Sequence, residues 1–302
     1  MSSDHVTGKF RRGRGVIRSA APTGFHEGEV AAQRRAGVEA AAKRLENMLR
    51  ANRISAGATQ FLSTQRFAAL TGRDHAGVLW ISPVAGPPGF LRGADDIVQI
   101  SQAPRDGDPL HRIRAGQQVG LVTIDFATRR RMRVNGTLLV SGDAGMSIRV
   151  DQAYGNCPQY IHRRDINVPA IASSSGASRH ATNLRAAEQA MIATADTFFL
   201  GTTHPSRGSD ASHRGGTAGF VKVDSPTRLW WPDYPGNNMF NSLGNLTVDD
   251  EAALLFVDFA TGASIQLSGS AQVQWSIPEA DDGAGRGVAF EVDAVVTSSS
   301  AG

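Results

Sequence analysis

The chain repeats itself once, its second half restating its first at an offset near 130 in the numbering. Ser82-Pro-Val-Ala-Gly-Pro-Pro-Gly-Phe90 aligns with Ser212-His-Arg-Gly-Gly-Thr-Ala-Gly-Phe220. Val122-Thr-Ile-Asp-Phe-Ala-Thr128 aligns with Leu255-Phe-Val-Asp-Phe-Ala-Thr261 at a slightly longer offset, which holds through Val134-Asn-Gly136 and Leu267-Ser-Gly269. A period this long exceeds solenoid and propeller units and suits two copies of one small domain. Such copies can pack as a pseudo-symmetric pair that imitates a homodimer. Clefts between domains are favoured places for cofactors. The repeat therefore constrains the fold twice: both halves must be alike, and the boundary between them is where a site is expected.

Composition narrows the class. The 302 residues are 41% hydrophobic and 20% charged, ordinary for a soluble globular protein with room for two cores. Cys157 is the only cysteine, so an intrachain disulfide is excluded. No apolar run approaches the roughly 18–20 residues of a membrane span. Lys9, Arg11, Arg12, Arg14 and Arg18 make the N-terminus basic, but without the apolar core of a signal peptide. A flexible basic arm over 1–24 and a cytoplasmic protein are expected. The net charge of +3 is modest and its arginines are scattered, which argues against a nucleic-acid partner.

The Ala-rich stretch from Glu27 to Asn52, with Val30, Val38, Leu45, Met48 and Leu49, predicts one long amphipathic helix within 25–55. Short β-branched or apolar runs follow: Phe67–Leu70, Val78–Ile81, Ile97–Ile100, Val119–Asp125, Met132–Val140 and Met146–Val150. They place a small antiparallel barrel at 56–164. A polar linker is expected over 165–184. The second unit, 185–302, opens with a short helix from Leu184. Strands are predicted there at Thr197–Thr202, Ala218–Val223, Arg228–Trp231, Ala252–Asp258, Ser264–Val273 and Gly287–Val296.

Two segments carry candidate chemistry. Asp210-Ala-Ser-His-Arg-Gly-Gly216 joins hydroxyl, imidazole and guanidinium to two glycines, a set suited to phosphate but also to a solvated hairpin edge. The first copy has Pro83 and Val84 where the second has His213 and Arg214, so only the second copy is polar here. Asp233-Tyr-Pro-Gly-Asn-Asn-Met-Phe-Asn-Ser242 offers asparagines and a serine able to cap a helix, whether or not an anion binds. Its first-copy counterpart, around Arg105-Asp-Gly-Asp-Pro-Leu-His111, lacks the asparagines. The histidines His180, His204 and His213 have no recognisable metal spacing, so no metal site is expected. Cys157 reads as inert rather than as a nucleophile. Dinucleotide-binding, P-loop and nucleophile-elbow motifs are absent.

These segments together resemble the pyridoxamine 5'-phosphate oxidase-like FMN-binding split-barrel family, in its two-domain branch. The resemblance also covers Phe25-His-Glu-Gly-Glu29, Gly120–Gly136 with Thr128-Arg-Arg-Arg-Met-Arg-Val134, and Gly155-Asn-Cys-Pro-Gln-Tyr-Ile161. It continues through Ala195-Asp-Thr-Phe-Phe199, Gly236–Leu246 and Leu254–Gly262. It implies a mainly β fold with flanking helices: two tandem split β-barrels forming an intramolecular pseudo-dimer, the first degenerate, with FMN in the cleft between them. Ser212, His213, Arg214 and Gly215 fall where the family lines the flavin, and Asn237, Asn241 and Ser242 where it meets the ribityl phosphate. Arg131, in the Arg129 to Arg133 run, would come from the first barrel, and strand alternation would put Arg129, Arg131 and Arg133 on one face.

The implied function is an FMN-dependent oxidoreductase acting on an unidentified small molecule. His213 is the candidate catalytic hydrogen-bond or proton donor, and NADH or NADPH would be an external electron donor. Alternatives are a flavin protein without turnover, or a related fold holding deazaflavin or haem. Pyridoxamine phosphate itself is not expected as substrate, because the C-terminal motif for it is not apparent. A monomer or homodimer is expected.

Overall fold

The structure, a computed structural model, describes residues 24–50, 52–156, 158–173, 178–276 and 285–298. Cys157 and residues 1–23 of the basic arm lie outside the described residues. Two antiparallel sheets carry the fold. The first comprises β1 (Phe67–Arg73), β2 (Leu79–Ala85), β3 (Leu91–Ala94), β4 (Ile97–Ile100), β5 (Gln118–Asp125), β6 (Arg130–Gly142) and β7 (Gly145–Asn156). After β8 (Arg179–Ala181), the second comprises β9 (Thr197–His204), β10 (Gly208–Gly215), β11 (Lys222–Ser225), β12 (Arg228–Pro232), β13 (Glu251–Val257), β14 (Ser264–Trp275) and β15 (Arg286–Ser298). Their strand orders, β2-β1-β5-β6-β7-β4-β3 and β10-β9-β13-β14-β15-β12-β11, are the same order in two copies.

The copies match in register as well. Leu70 faces Ser82 across β1 and β2, and Leu200 faces Ser212 across β9 and β10. Leu121 faces Val134, and their repeat partners Leu254 and Leu267 face each other likewise. Even the β-bulge recurs, before Gly136 in one copy and before Gly269 in the other. A Cβ on Gly136 would overlap the Arg149 carbonyl oxygen, and one on Gly269 that of Glu291. The repeated glycine is thus a packing requirement of the bulge.

Each sheet curls around its own core. In the first copy, Leu70, Val84, Leu91, Val98, Leu121, Val134 and Ile148 join one cluster from all seven strands, closed by Phe61 and Leu62 of helix α3 (Ala56–Thr64). In the second, Phe198, Leu229, Trp231, Leu254, Leu267 and Phe290 form the equivalent cluster under Ile192 of α5 (Ala186–Thr194). The result is two tandem split barrels. Their alternate strand faces meet in a third cluster containing Phe67, Val122, Ile124, Phe199, Ala253 and Leu255. β10 packs on β5 while β2 packs on β13, an exchange that marks a pseudo-two-fold axis. Phe126 and its repeat partner Phe259 touch edge to face at 5.0 Å across it.

Two sequence expectations fail. The helix expected over 25–55 is three pieces: α1 (Glu27–Arg35), α2 (Glu39–Lys43) and a 3-10 turn (Glu46–Arg50). Gly37 interrupts it at φ +69, a left-handed conformation that an α-helix cannot contain. The polar linker is structured where described: α4 (Val168–Ser173) buries Val168 and Ile171 in the inter-barrel cluster, and β8 pairs with β15. Boundaries shift too. The strand expected at Ala218–Val223 forms at Lys222–Ser225, and the first candidate site segment lies on β10, which runs Gly208–Gly215. Among the described residues, no helix is long and apolar enough to cross a membrane.

Candidate functional site

The divergence between the copies lies on β10. In β2 the side chains of Trp80 and Val84 belong to the first core, with Ser82 between them in the strand. Their repeat partners on β10 are Asp210, Ser212 and Arg214, so the serine is kept while the two apolar side chains flanking it have become charged. Burying charge requires partners. Asp210 receives Arg133 Nη1 at 3.1 Å and Asn135 Nδ2 at 3.1 Å from the first barrel. Ser242 Oγ lies at 3.4 Å from Asp210 and donates to Ser212 Oγ at 3.0 Å. Arg214 Nη1 donates to Asp233 Oδ1 at 2.7 Å, and Arg286 Nε to Asp233 Oδ2 at 3.1 Å.

Around this network lies a cleft open to solvent. It is lined from the first copy by Arg131, Arg133 and Tyr160, and from the second by His213, Arg214, Gly215, Asn237, Asn241 and Ser242, among others. Seven of the eight sequence-derived site residues therefore meet in one cleft. Ser212 is the exception: it is fully buried behind Ser242, and its own hydroxyl reaches the Leu200 carbonyl. Arg214 departs from the expectation of an open-cleft charge. Its side chain is 20% exposed, and burial lowers its pKa despite the Asp233 partner.

His213 is buried, and desolvation followed by the charge of Arg131 holds its pKa well below 6.5. Its Nδ1 lies 3.1 Å from Arg131 Nη1. Arginine only donates, so Nδ1 accepts and the neutral ring carries its hydrogen on Nε2. That buried Nε2 has no hydrogen-bond partner among the described residues. The group is a hydrogen-bond donor, the first of the two roles considered for His213 from sequence.

The loop before α6 (Asn241–Leu246) also differs from expectation. Phe240 sits at the N-cap with φ +60 and no side-chain cap. Asn237 closes a local turn by accepting from Met239 N at 3.1 Å, and Asn238 has φ +63. Left-handed Phe is uncommon and such strain concentrates at functional loops. Here it is held by Arg286 5.0 Å over the Phe240 ring and by stacking of that ring on Trp275. Asn241 does not cap; it donates to the Glu29 carboxylate.

That last bond explains the Phe25-His-Glu-Gly-Glu29 segment. A Cβ on Gly28 would overlap the Gly244 carbonyl oxygen, and one on Gly244 would lie 2.6 Å from Glu29 Cα. Two glycines thus let α1 and α6 touch, which brings Glu29 to Asn241. Burial pushes the Glu29 carboxyl up to about 7. Next to it, His26, Glu27 and His204 lie within 4.8 Å of one another, a grouping not foreseen from spacing. The ring nitrogens argue for a clasp rather than a metal site. Nδ1 of His26 accepts from Gly28 N and Nδ1 of His204 from Ser206 N. Each Nε2 therefore carries the hydrogen, facing Asn245 Oδ1 at 3.0 Å and Glu27 Oε1 at 3.2 Å, respectively.

The pseudo-symmetric cleft is filled by the chain itself. Ser82 Oγ donates to Asp108 Oδ1 at 2.5 Å, and Gln266 Nε2 donates to Ser82 Oγ at 2.8 Å. Arg105 Nη2 reaches Ser264 Oγ at 2.6 Å. Ser264 and Gln266 are the repeat partners of Arg131 and Arg133, so the cationic pair exists on one side only.

Sequence reasoning missed Arg286 entirely. It has no motif of its own, and reaches Asp233 only because β12 pairs with β15, setting Pro232 opposite Gly287. Tyr160 and Tyr234 stack at 5.2 Å beside the cleft, each from a segment whose other residues carry the motif.

No protein-family model and no curated protein matches the chain. Solved structures do. HupZ of Group A Streptococcus is 10% identical over 39% of this chain and 99% of its own, with a TM-score of 0.32. A Clostridium acetobutylicum protein related to general stress protein 26, of the pyridoxinephosphate oxidase family, is 15% identical over 34% and 79%, with a TM-score of 0.25. General stress protein 26 of Bacillus anthracis is 9% identical over 35% and 85%, with a TM-score of 0.26.

Proposed function

We propose that this chain is a pyridoxamine 5'-phosphate oxidase-like protein that holds one FMN between its two barrels and uses it to oxidise or reduce a small molecule. The observation that carries this is charge balance in the cleft. Among the described residues that line it, Arg131, Arg133, Arg214 and Arg286 are four guanidiniums and Asp233 is the one carboxylate. A phosphate monoester brings about −1.5 to −2 at neutral pH. Guanidiniums are also the side chains best matched to phosphate oxygens.

The residues fit the cofactor in a second way. The unpartnered Nε2–H of His213 supplies a hydrogen-bond donor for a ring or ribityl acceptor. The same tautomer disfavours haem, because an iron-ligating Nε2 needs its lone pair while Arg131 already occupies Nδ1. Arg214 and Arg286 would hold the phosphate through outer nitrogens while Asp233 fixes their orientation. Asn237 and Asn241 would meet the ribityl chain. FMN, when bound, supplies the hydride and electron chemistry; the protein supplies orientation and a water-poor wall.

Purified protein should absorb visible light as a flavoprotein and release FMN on denaturation, identified by mass spectrometry. A colourless protein that also fails to take up added FMN removes the proposal. Stopped-flow reduction by NADPH or NADH then tests turnover. Reduction no faster than that of free FMN would leave a flavin-holding protein. The donor is external in this reading, and the protein works as a cytoplasmic monomer or homodimer.

A further inference from the structure

A second recess opens directly from the cleft. It runs between the 3-10 turn, the β5–β6 hairpin and the 237–239 loop, and shares Arg131 and Asn237 with the cleft. Its wall is apolar, from Leu45, Met48, Pro158 and Met239, and its rim carries Arg129, Arg130 and Arg131. Among the described residues no aspartate or glutamate lines it.

Three consecutive arginines border this groove: Arg130 and Arg131 open β6, and Arg129 precedes it with φ +56. Asp125, opposite Arg130 in register, accepts from Ala127 N, Thr128 N and Thr128 Oγ1. Arg129 and Arg130 are exposed, and Arg130 lies 5.0 Å over the Phe61 ring. Met48, at 39% exposure, leaves apolar surface open beside them. The chain's own N-terminal segment is a poor occupant, since residues 1–23 hold five lysines and arginines against one aspartate.

We infer that this groove binds an anionic organic molecule with an apolar body, a carboxylate or a phosphate or sulfonate ester, as the substrate-side extension of the cleft. Its role as substrate rests on the flavin reading; its preference for an anion does not. Apolar surface takes the body, and the arginine rim takes the acid group by charge-assisted hydrogen bonds.

The test uses two dyes of one shape. The full-length protein is titrated with 8-anilinonaphthalene-1-sulfonate and with its uncharged parent, N-phenyl-1-naphthylamine. The expected result is sulfonate binding about ten-fold or more tighter than the neutral dye, weakening with salt. The double variant Arg129→Gln/Arg130→Gln should remove that preference, leaving the neutral dye's affinity and the melting temperature unchanged, because both arginines are exposed. Equal loss of both dyes, or loss of neither, overturns the inference. Charge-dependent dye binding by a protein that takes up no FMN would keep the groove and remove the flavin reading. FMN uptake without charge-dependent dye binding does the reverse.

Discussion

Replacing Arg214 with Ala takes one of two guanidiniums from a buried carboxylate. Asp233 has a side-chain exposure of 6% and is bonded by Arg214 at 2.7 Å and Arg286 at 3.1 Å. Breaking an isolated buried pair costs about 3–5 kcal/mol, because a charge is left without compensation. Arg286 remains here, so the loss falls nearer that of one charge-assisted hydrogen bond, about 2 kcal/mol of unfolding free energy. Flavin should suffer separately. Losing one phosphate-facing guanidinium is worth about 1.5–3 kcal/mol, a ten-fold or greater rise in Kd. Urea unfolding of the apoprotein reads the first quantity and flavin-fluorescence titration at fixed ionic strength the second. Val84→Ala, at the matching position of the first copy, is the control. Val84 is 1% exposed in the first core, so truncation should cost about 1–3 kcal/mol of stability and leave Kd alone. An unchanged Kd for Arg214→Ala, or an equal rise for Val84→Ala, refutes the assignment of the site to β10.

Titration with FMN should saturate at one equivalent per chain, because Arg105, Asp108 and Gln266 fill the pseudo-symmetric cleft; two equal sites would contradict this. Gly28→Ala should cost about 1–3 kcal/mol through overlap with the Gly244 carbonyl and weaken FMN by displacing Asn241, both read by the same titrations. The pH profile holds opposed contributions. Glu29 is raised from 4.5 to about 7, so the native state binds the extra proton and stability falls as pH rises through that window. His26 is lowered from 6.5 to about 4, so the unfolded state binds the extra proton and stability rises as pH climbs from about 4 to 6.5. His213, also lowered by burial, adds to that rise, and Asp108, raised by burial, opposes it, so the Glu29 share is read as the difference between variant and parent. Relative to the parent, Glu29→Gln should gain about 2–3 kcal/mol of stability between pH 4.5 and 7 in urea melts. A Glu29→Gln profile parallel to the parent's would show that Glu29 titrates normally.

How much of this protein is written in its sequence depends on how local each signal is. The duplication is local: Leu70 with Ser82 and Leu200 with Ser212 belong to two-strand units whose register follows from alternating side chains, so aligned letters become aligned strands. The polar turn of β10 is equally legible, because Pro83 and Val84 beside His213 and Arg214 is a difference of chemistry at matched positions. The break in the helix over 25–55 is not, since apolar periodicity continues through Gly37 while the backbone does not. The 165–184 segment misleads for the opposite reason. Its buried Val168 and Ile171 matter only against a core supplied by both barrels.

The state of the site residues was decided by tertiary structure alone. His213 is neutral because burial and Arg131 make it so, and Arg131 comes from a strand 82 positions away. Arg214 is restrained rather than free because Asp233 is sandwiched between it and Arg286, brought together by the pairing of β12 with β15. Glu29 meets Asn241, far along the chain, because two glycines let their helices touch. Sequence determined which residue types were available and in which copy. Burial and partner charge, which act through space and not along the chain, determined what those residues are.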